Sequence, residues 1–170
     1  IGFLSWKSNV AERRKPQGSK LPTEVSSPVV AQLQDVDPGF VAESFLADFT
    51  SAFIAIQEAW MAQDMATVRH FVSDGIDEKF AVQFREQQRL GYREQLDEIS
   101  VRNVWLARFD SDGAFEVLTV KVTASMVDQR VSLKTGAKVG GSSTAEPFTE
   151  YWSLVRRRGT QTRQDGGRLL

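Results

Sequence analysis

The sequence predicts an α+β fold in which helices pack on one face of a curved antiparallel sheet. Three observations lead there. Apolar residues recur at helical spacing from Val41 to Leu90. From Ile99 onward the period drops to two, with turn residues separating the runs. Seven of the eleven phenylalanines lie in the helical half, so the helices need a large apolar surface to cover, and the strands that follow supply one.

The first helix is expected to begin at Asp37-Pro38, a capping carboxylate followed by proline in the first turn. Val41, Phe45, Phe49, Phe53, Ile56 and Trp60 then fall three or four residues apart and form one apolar face as far as Ala62. Asp64 is positioned to cap a short helix from Met65 to Val72, with Val68 and Phe71 inward, and Ser73-Asp74-Gly75 breaks it. A third helix over about 76–91 carries Ile76, Phe80, Phe84 and Leu90 and stops at Gly91.

In the second half Ile99, Val101, Trp105, Ala107 and Phe109 alternate, interrupted by Asn103, with Val104 and Leu106 on the other face. Asp110-Ser111-Asp112-Gly113 is a hairpin signal. A strand from Phe115 to Val127 follows, then a short one at Arg130 to Leu133 and a flexible loop from Thr135 to Ser143. The last strand, Phe148 to Arg158, puts Phe148, Glu150, Trp152 and Leu154 on a single face. Polar inward positions on the sheet are expected to be few, Asn103 and Thr119.

Domain limits follow from composition. Residues 1–36 hold three of the five prolines, with Pro38 close behind, and are expected to be a flexible basic linker or juxtamembrane segment. Residues 37–158 are the expected folded domain and 159–170 a flexible tail.

The chain has no cysteine, which excludes thiol nucleophiles, disulfide frameworks and zinc–thiolate or iron–sulfur sites. Its single histidine, His70, is expected to be a partly exposed helix residue rather than a general base. Asp74, Asp77 and Glu78 match no metal-loop pattern and complement a helix N-terminus. No phosphate-cradling glycine loop or nucleophile elbow occurs, so no catalytic residue, cofactor or metal is assigned. A net charge of −1 argues against a nucleic-acid partner.

That small net charge conceals a gradient. Residues 1–34 carry five basic and two acidic groups, residues 35–110 seven and fourteen, and residues 111–170 nine and six. Ile1-Gly2-Phe3-Leu4-Ser5-Trp6 is apolar and ends in an aromatic; Lys7 and Arg13-Arg14-Lys15 follow. This order is either that of a segment emerging from a membrane on its cytoplasmic side or that of a tag-like tail. The candidate lipid contacts are therefore Trp6, Lys7, Arg13, Arg14 and Lys15 at one end and Arg156, Arg157 and Arg158 at the other. The alternative for the second group is charge that solvates the end of an edge strand.

Several of these segments together resemble a known family. Phe40-x4-Phe45, then Ala52-Phe53-x2-Ile56-Gln57-x-Ala59-Trp60-x3-Asp64, is similar to the opening helix of the Tim44-like domain of mitochondrial presequence import and its bacterial relatives. Phe71-Val72-Ser73-Asp74, Ile99-x-Val101, Val120-x-Val122 and the closing Glu150-x-Trp152-x-Leu154-x-Arg156 extend the likeness over about residues 37–158. The resemblance implies a cone-shaped fold of the nuclear transport factor 2 or cystatin-like type with an apolar pocket. It further implies a non-catalytic, inner-membrane-associated protein, peripheral or tethered by a span upstream of Ile1. Its partner would be an anionic phospholipid membrane or an inner-membrane protein, in a lipid-binding or translocation-adaptor role, with a homodimer possible. The chain lacks the long chaperone-binding region of the mitochondrial protein, so a bacterial relative fits better. The rival reading is a small-molecule-binding or isomerase/dehydratase-like domain of the same fold.

Overall fold

A computed structural model describes residues 2–4 and 27–162. In chain order it contains β1 (Gly2–Leu4), α1 (Ser27–Val36), α2 (Ala42–Ala62), a 3-10 helix (Ala66–Phe71) and α3 (Asp74–Leu90). The strands β2 (Tyr92–Asp112), β3 (Phe115–Ser132), β4 (Lys138–Gly141) and β5 (Glu146–Arg157) follow. The sheet order is β1-β5-β3-β2, with β4 beside β3, and every pairing is antiparallel. This is the expected α+β architecture.

The start of the domain differs from the expectation. Residues 27–36 form a helix rather than part of a linker, and its Val29 and Leu33 are buried in the core. Pro28 enters at the helix start, where its missing N–H costs nothing. Asp37 does not cap a helix. Its carboxylate is wholly buried, Pro38-Gly39 forms a turn, and α2 begins only at Ala42 after Val41. At the other end the ordered fold runs past Arg158 to Thr162, which Asp37 holds.

The remaining helix limits follow local chemistry. Gln63 takes the left-handed conformation after α2, and its N–H and that of Asp64 close onto Trp60 and Ala59. Asp64 Oδ1 accepts from the Ala66 N–H, starting the 3-10 helix. Ser73 Oγ accepts from the Ile76 N–H at the head of α3, so Asp74 and Gly75 lie inside its first turn. Gly91, at φ 75°, ends it.

The α2 stripe packs as its periodicity implies. Phe45, Phe49, Phe53 and Ile56 are buried against Leu106, Val120, Val122, Trp152 and Leu154. The Trp152 ring meets Phe53 edge-on at 5.2 Å and Phe49 at 6.2 Å between centroids.

The long strand β2 is irregular. Its pairing with β3 shifts between Asp97 and Ser100, between Val101 and Asn103, and between Leu106 and Arg108. Each shift resets the alternation, so Val101, Val104, Leu106 and Phe109 contribute to the core while Trp105 lies outward beside Lys121, 4.8 Å from its ring centroid. Trp105, Ala107 and Phe109 therefore do not share a face. Arg130–Leu133 is not a separate strand, because β3 continues through Ser132, and the glycine-rich loop contains β4.

Candidate functional site

The eight candidate lipid contacts separate into three groups. Trp6, Lys7, Arg13, Arg14 and Lys15 lie outside the described residues. Arg157 and Arg158 are exposed at the end of β5. Arg156 is not available to a headgroup: its side chain is 16% exposed and turned into the protein. The β5 alternation explains this. Arg156 continues the inward series of Glu150, Trp152 and Leu154, whereas Arg157 points away.

Arg156 closes a buried ionic cluster. Its Nη1 donates to Asp37 Oδ2 at 2.6 Å and its Nε to Glu116 Oε2 at 2.6 Å. Thr162 donates to Asp37 from both its N–H and its hydroxyl. Burial raises the Asp37 pKa, but the hydrogen bonds from Arg156 and Thr162, with the nearby positive charge, outweigh it and hold the carboxyl below its ordinary value. The cluster ties the end of α1 to β3, β5 and the C-terminal segment, so it is structural.

Beside it, the sheet ends in a mixed apolar and basic surface. Phe115, 51% exposed, is the cross-strand partner of Arg157, and the Arg158 N–H bonds to the Ala114 carbonyl at 2.9 Å. Asp110 across the hairpin is paired with Arg108 at 2.6 Å. β1 runs antiparallel to β5, from Gly2 opposite Val155 to Leu4 opposite Ser153.

A second feature is a cavity of about 480 Å³ between the helices and the sheet. From α2 it is lined by Ile56, Gln57 and Trp60, and from α3 by Phe80, Val82, Gln83, Glu86 and Gln87. The strands contribute Tyr92, Glu94, Asp128, Arg130, Glu150 and Trp152. Gln87 accepts from Gln63 Nε2 at 2.8 Å, and Trp152 Nε1 donates to Glu150 at 2.9 Å. Glu86 is held by Arg89 at 2.7 Å, and that hydrogen bond lowers its carboxyl pKa. Arg130 lies 3.5 Å from Glu94 and over the Tyr92 ring. The apolar pocket implied by the resemblance is thus apolar on one side and polar, predominantly acidic, on the other.

These polar groups are not those expected from the sequence. Asn103 and Thr119 lie on the outer face, paired with Thr123 and Ser153, while Glu94, Asp128 and Glu150 line the cavity. Glu150 was legible from its place in the β5 alternation; Glu94 and Asp128 were not, because the β2–β3 pairing shifts near them. The acidic residues at the head of α3 are occupied otherwise: Arg69 pairs with Asp74 and lies 3.4 Å from Asp77. His70 is exposed, its ring 4.0 Å from that of Phe71.

Helices laid over one face of a curved antiparallel sheet, with a cavity between the layers, define an α+β protein of the nuclear transport factor 2 type. Within that class the chain belongs to the Tim44-like domain family, which it matches over residues 26–167. The match begins just before α1 and so includes the helix and the Thr162 segment that the ionic cluster secures. The family is generally non-catalytic and has a role in membrane-associated translocation. A comparison with curated proteins finds no match. No helix among the described residues is long and apolar enough to cross a membrane.

Proposed function

We propose that this domain works without catalysis, as a membrane-associated adaptor that docks on an anionic inner-membrane surface or on a protein held there. The observation that supports this most is the end of the sheet, where exposed Phe115 sits beside exposed Arg157 and Arg158 in a chain of the Tim44-like family. Two basic residues contribute about 1 kcal/mol each near an anionic surface, and an aromatic ring adds interfacial anchoring. Lys7, Arg13, Arg14 and Lys15 add to the attraction in the full chain, with Trp6 as a second aromatic anchor.

The test is sedimentation with cardiolipin-containing vesicles. Arg157→Glu/Arg158→Glu is expected to weaken binding by about tenfold or more, since each substitution removes one attraction and adds a repulsion. Phe115→Ser is expected to weaken binding with little change in its salt dependence. Binding that neither variant alters would refute the assignment of this surface.

A further inference from the structure

At the end of the sheet opposite Phe115 we infer a docking surface for an acidic amphipathic helix of a partner protein. The surface is assembled from the C-terminus of α3, the start of β2 and the turn between β3 and β4. The Leu133 N–H donates to the Gly91 carbonyl at 2.9 Å, which brings that turn against the end of α3. In the sheet Arg93 lies opposite Val131 and Val131 opposite Lys138, so the three side chains form a row on one face. Val131 is buried, while the two cations flanking it are exposed.

Two properties define the surface. It is basic: residues 85–94 and 128–141 carry six basic and three acidic groups. Glu86 is held by Arg89 and Glu94 by Arg130, and Asp128 lines the cavity. Arg85, Arg93, Lys134 and Lys138 are exposed and form no ion pair with a described residue. It is also apolar: Leu90, Leu133 and Val139 are three of the eight exposed large hydrophobic side chains among the described residues.

These properties select the occupant. A symmetric contact with a second copy would set this positive surface against itself. A bilayer interface favours aromatic anchors, and the exposed apolar groups here are aliphatic. The exposed aromatic, Phe115, begins β3, and the strand's eighteen residues put about 55–60 Å of chain between the two ends. A membrane held at the Phe115 end leaves this end facing water. Aliphatic side chains beside cations complement a helix with leucines on one face and carboxylates along its borders. The choice of a protein over a membrane rests on the docking reading proposed above; the basic and apolar character of the surface does not.

The test uses two synthetic peptides of about 20 residues with the same leucine stripe, one with glutamate and one with lysine at the remaining positions. Fluorescence anisotropy with the full chain, without vesicles, is expected to show the glutamate peptide binding at least about tenfold more tightly, by a margin that shrinks as salt rises. Its addition is expected to shift the amide NMR signals of residues 90–93 and 133–139 and to leave those of 114–117 in place. Arg93→Glu/Lys134→Glu/Lys138→Glu is expected to weaken this binding by about tenfold or more, and Leu90→Ser/Leu133→Ser to weaken it while keeping its salt dependence. Equal binding of the peptides, preference for the lysine peptide, absence of binding, shifts confined to other residues, or a dimer that Leu90→Ser/Leu133→Ser dissociates would overturn the inference. If a variant does not fold, the peptide ranking and the shifts of the unaltered protein decide the matter. Flotation with cardiolipin vesicles separates the two readings. Vesicle binding lost in the lysine and arginine triple variant but kept in Arg157→Glu/Arg158→Glu would place the membrane at this end and overturn both. Peptide binding without any vesicle binding would overturn the membrane reading and support this one.

Discussion

Replacing Arg156 removes the one cation that holds two buried carboxylates. Asp37 is 0% exposed and Glu116 3%, and each receives a 2.6 Å hydrogen bond from the same guanidinium. In Arg156→Met, Asp37 keeps the two donors of Thr162, but among the described residues Glu116 keeps only the Gly159 N–H at 3.5 Å. Breaking a buried pair by removing one partner costs about 3–5 kcal/mol, a large part of the roughly 5–15 kcal/mol that stabilises a domain. For a unit of this size the melting temperature should fall by about 10–15 °C. Circular dichroism and urea unfolding at neutral pH measure it. The triple variant Asp37→Asn/Glu116→Gln/Arg156→Met, which leaves no charge behind, should recover much of the loss. The pH dependence adds a check. Because the Asp37 pKa is lowered on folding, its contribution is present above the unfolded carboxyl value, about 3.9, and is lost as pH falls through the folded value. The single variant should lose less stability than the unaltered protein over that acid range. A loss under about 1 kcal/mol, or a triple variant no more stable than the single one, would refute the reasoning.

Three further outcomes follow from the packing. Leu33→Ala should cost about 2–5 kcal/mol in urea unfolding, because α1 belongs to the core; a negligible effect would return residues 27–36 to the linker. Phe53→Ala should cost about 3–5 kcal/mol, and Trp60→Ala less, since Trp60 is half-buried at the cavity wall; the reverse order in the same assay would contradict the core described here. Gly141→Ala would place a β-carbon 2.2 Å from the Asp128 carbonyl oxygen at φ +79°, so β4 should detach and the Ser142 amide, bonded to that same oxygen at 2.8 Å, should lose protection from hydrogen exchange.

The sequence revealed most where one period persisted. The Phe45-Phe49-Phe53-Ile56 stripe and the inward series of β5 were both visible, and both pack as their spacing implies. Had the β5 series been carried one step further, it would have taken Arg156 inward and left Arg157 outward. The faces of β2 were hidden because bulges leave no compositional mark: Val101 and Val104 are three apart yet both touch the core. α1 was missed for another reason. Its apolar residues Val29 and Leu33 span little more than one turn, and Pro28 and Pro38 around them resemble linker punctuation. The buried role of Asp37 depends on partners 119 and 125 residues away, which no local pattern reveals. For the same reason the acidic side of the cavity, assembled from three strands, did not emerge from reading each strand alone.

The most direct test of membrane association is flotation of the full chain with two vesicle populations, phosphatidylcholine alone and phosphatidylcholine with cardiolipin, each at low and high salt. The account expects the protein to rise with the cardiolipin vesicles at low salt and to be released as salt screens charges over about 8–10 Å. It expects no flotation with the neutral vesicles. Equal flotation with both populations, or none with either in the absence of a protein partner and none when inner-membrane proteins are included, would contradict it.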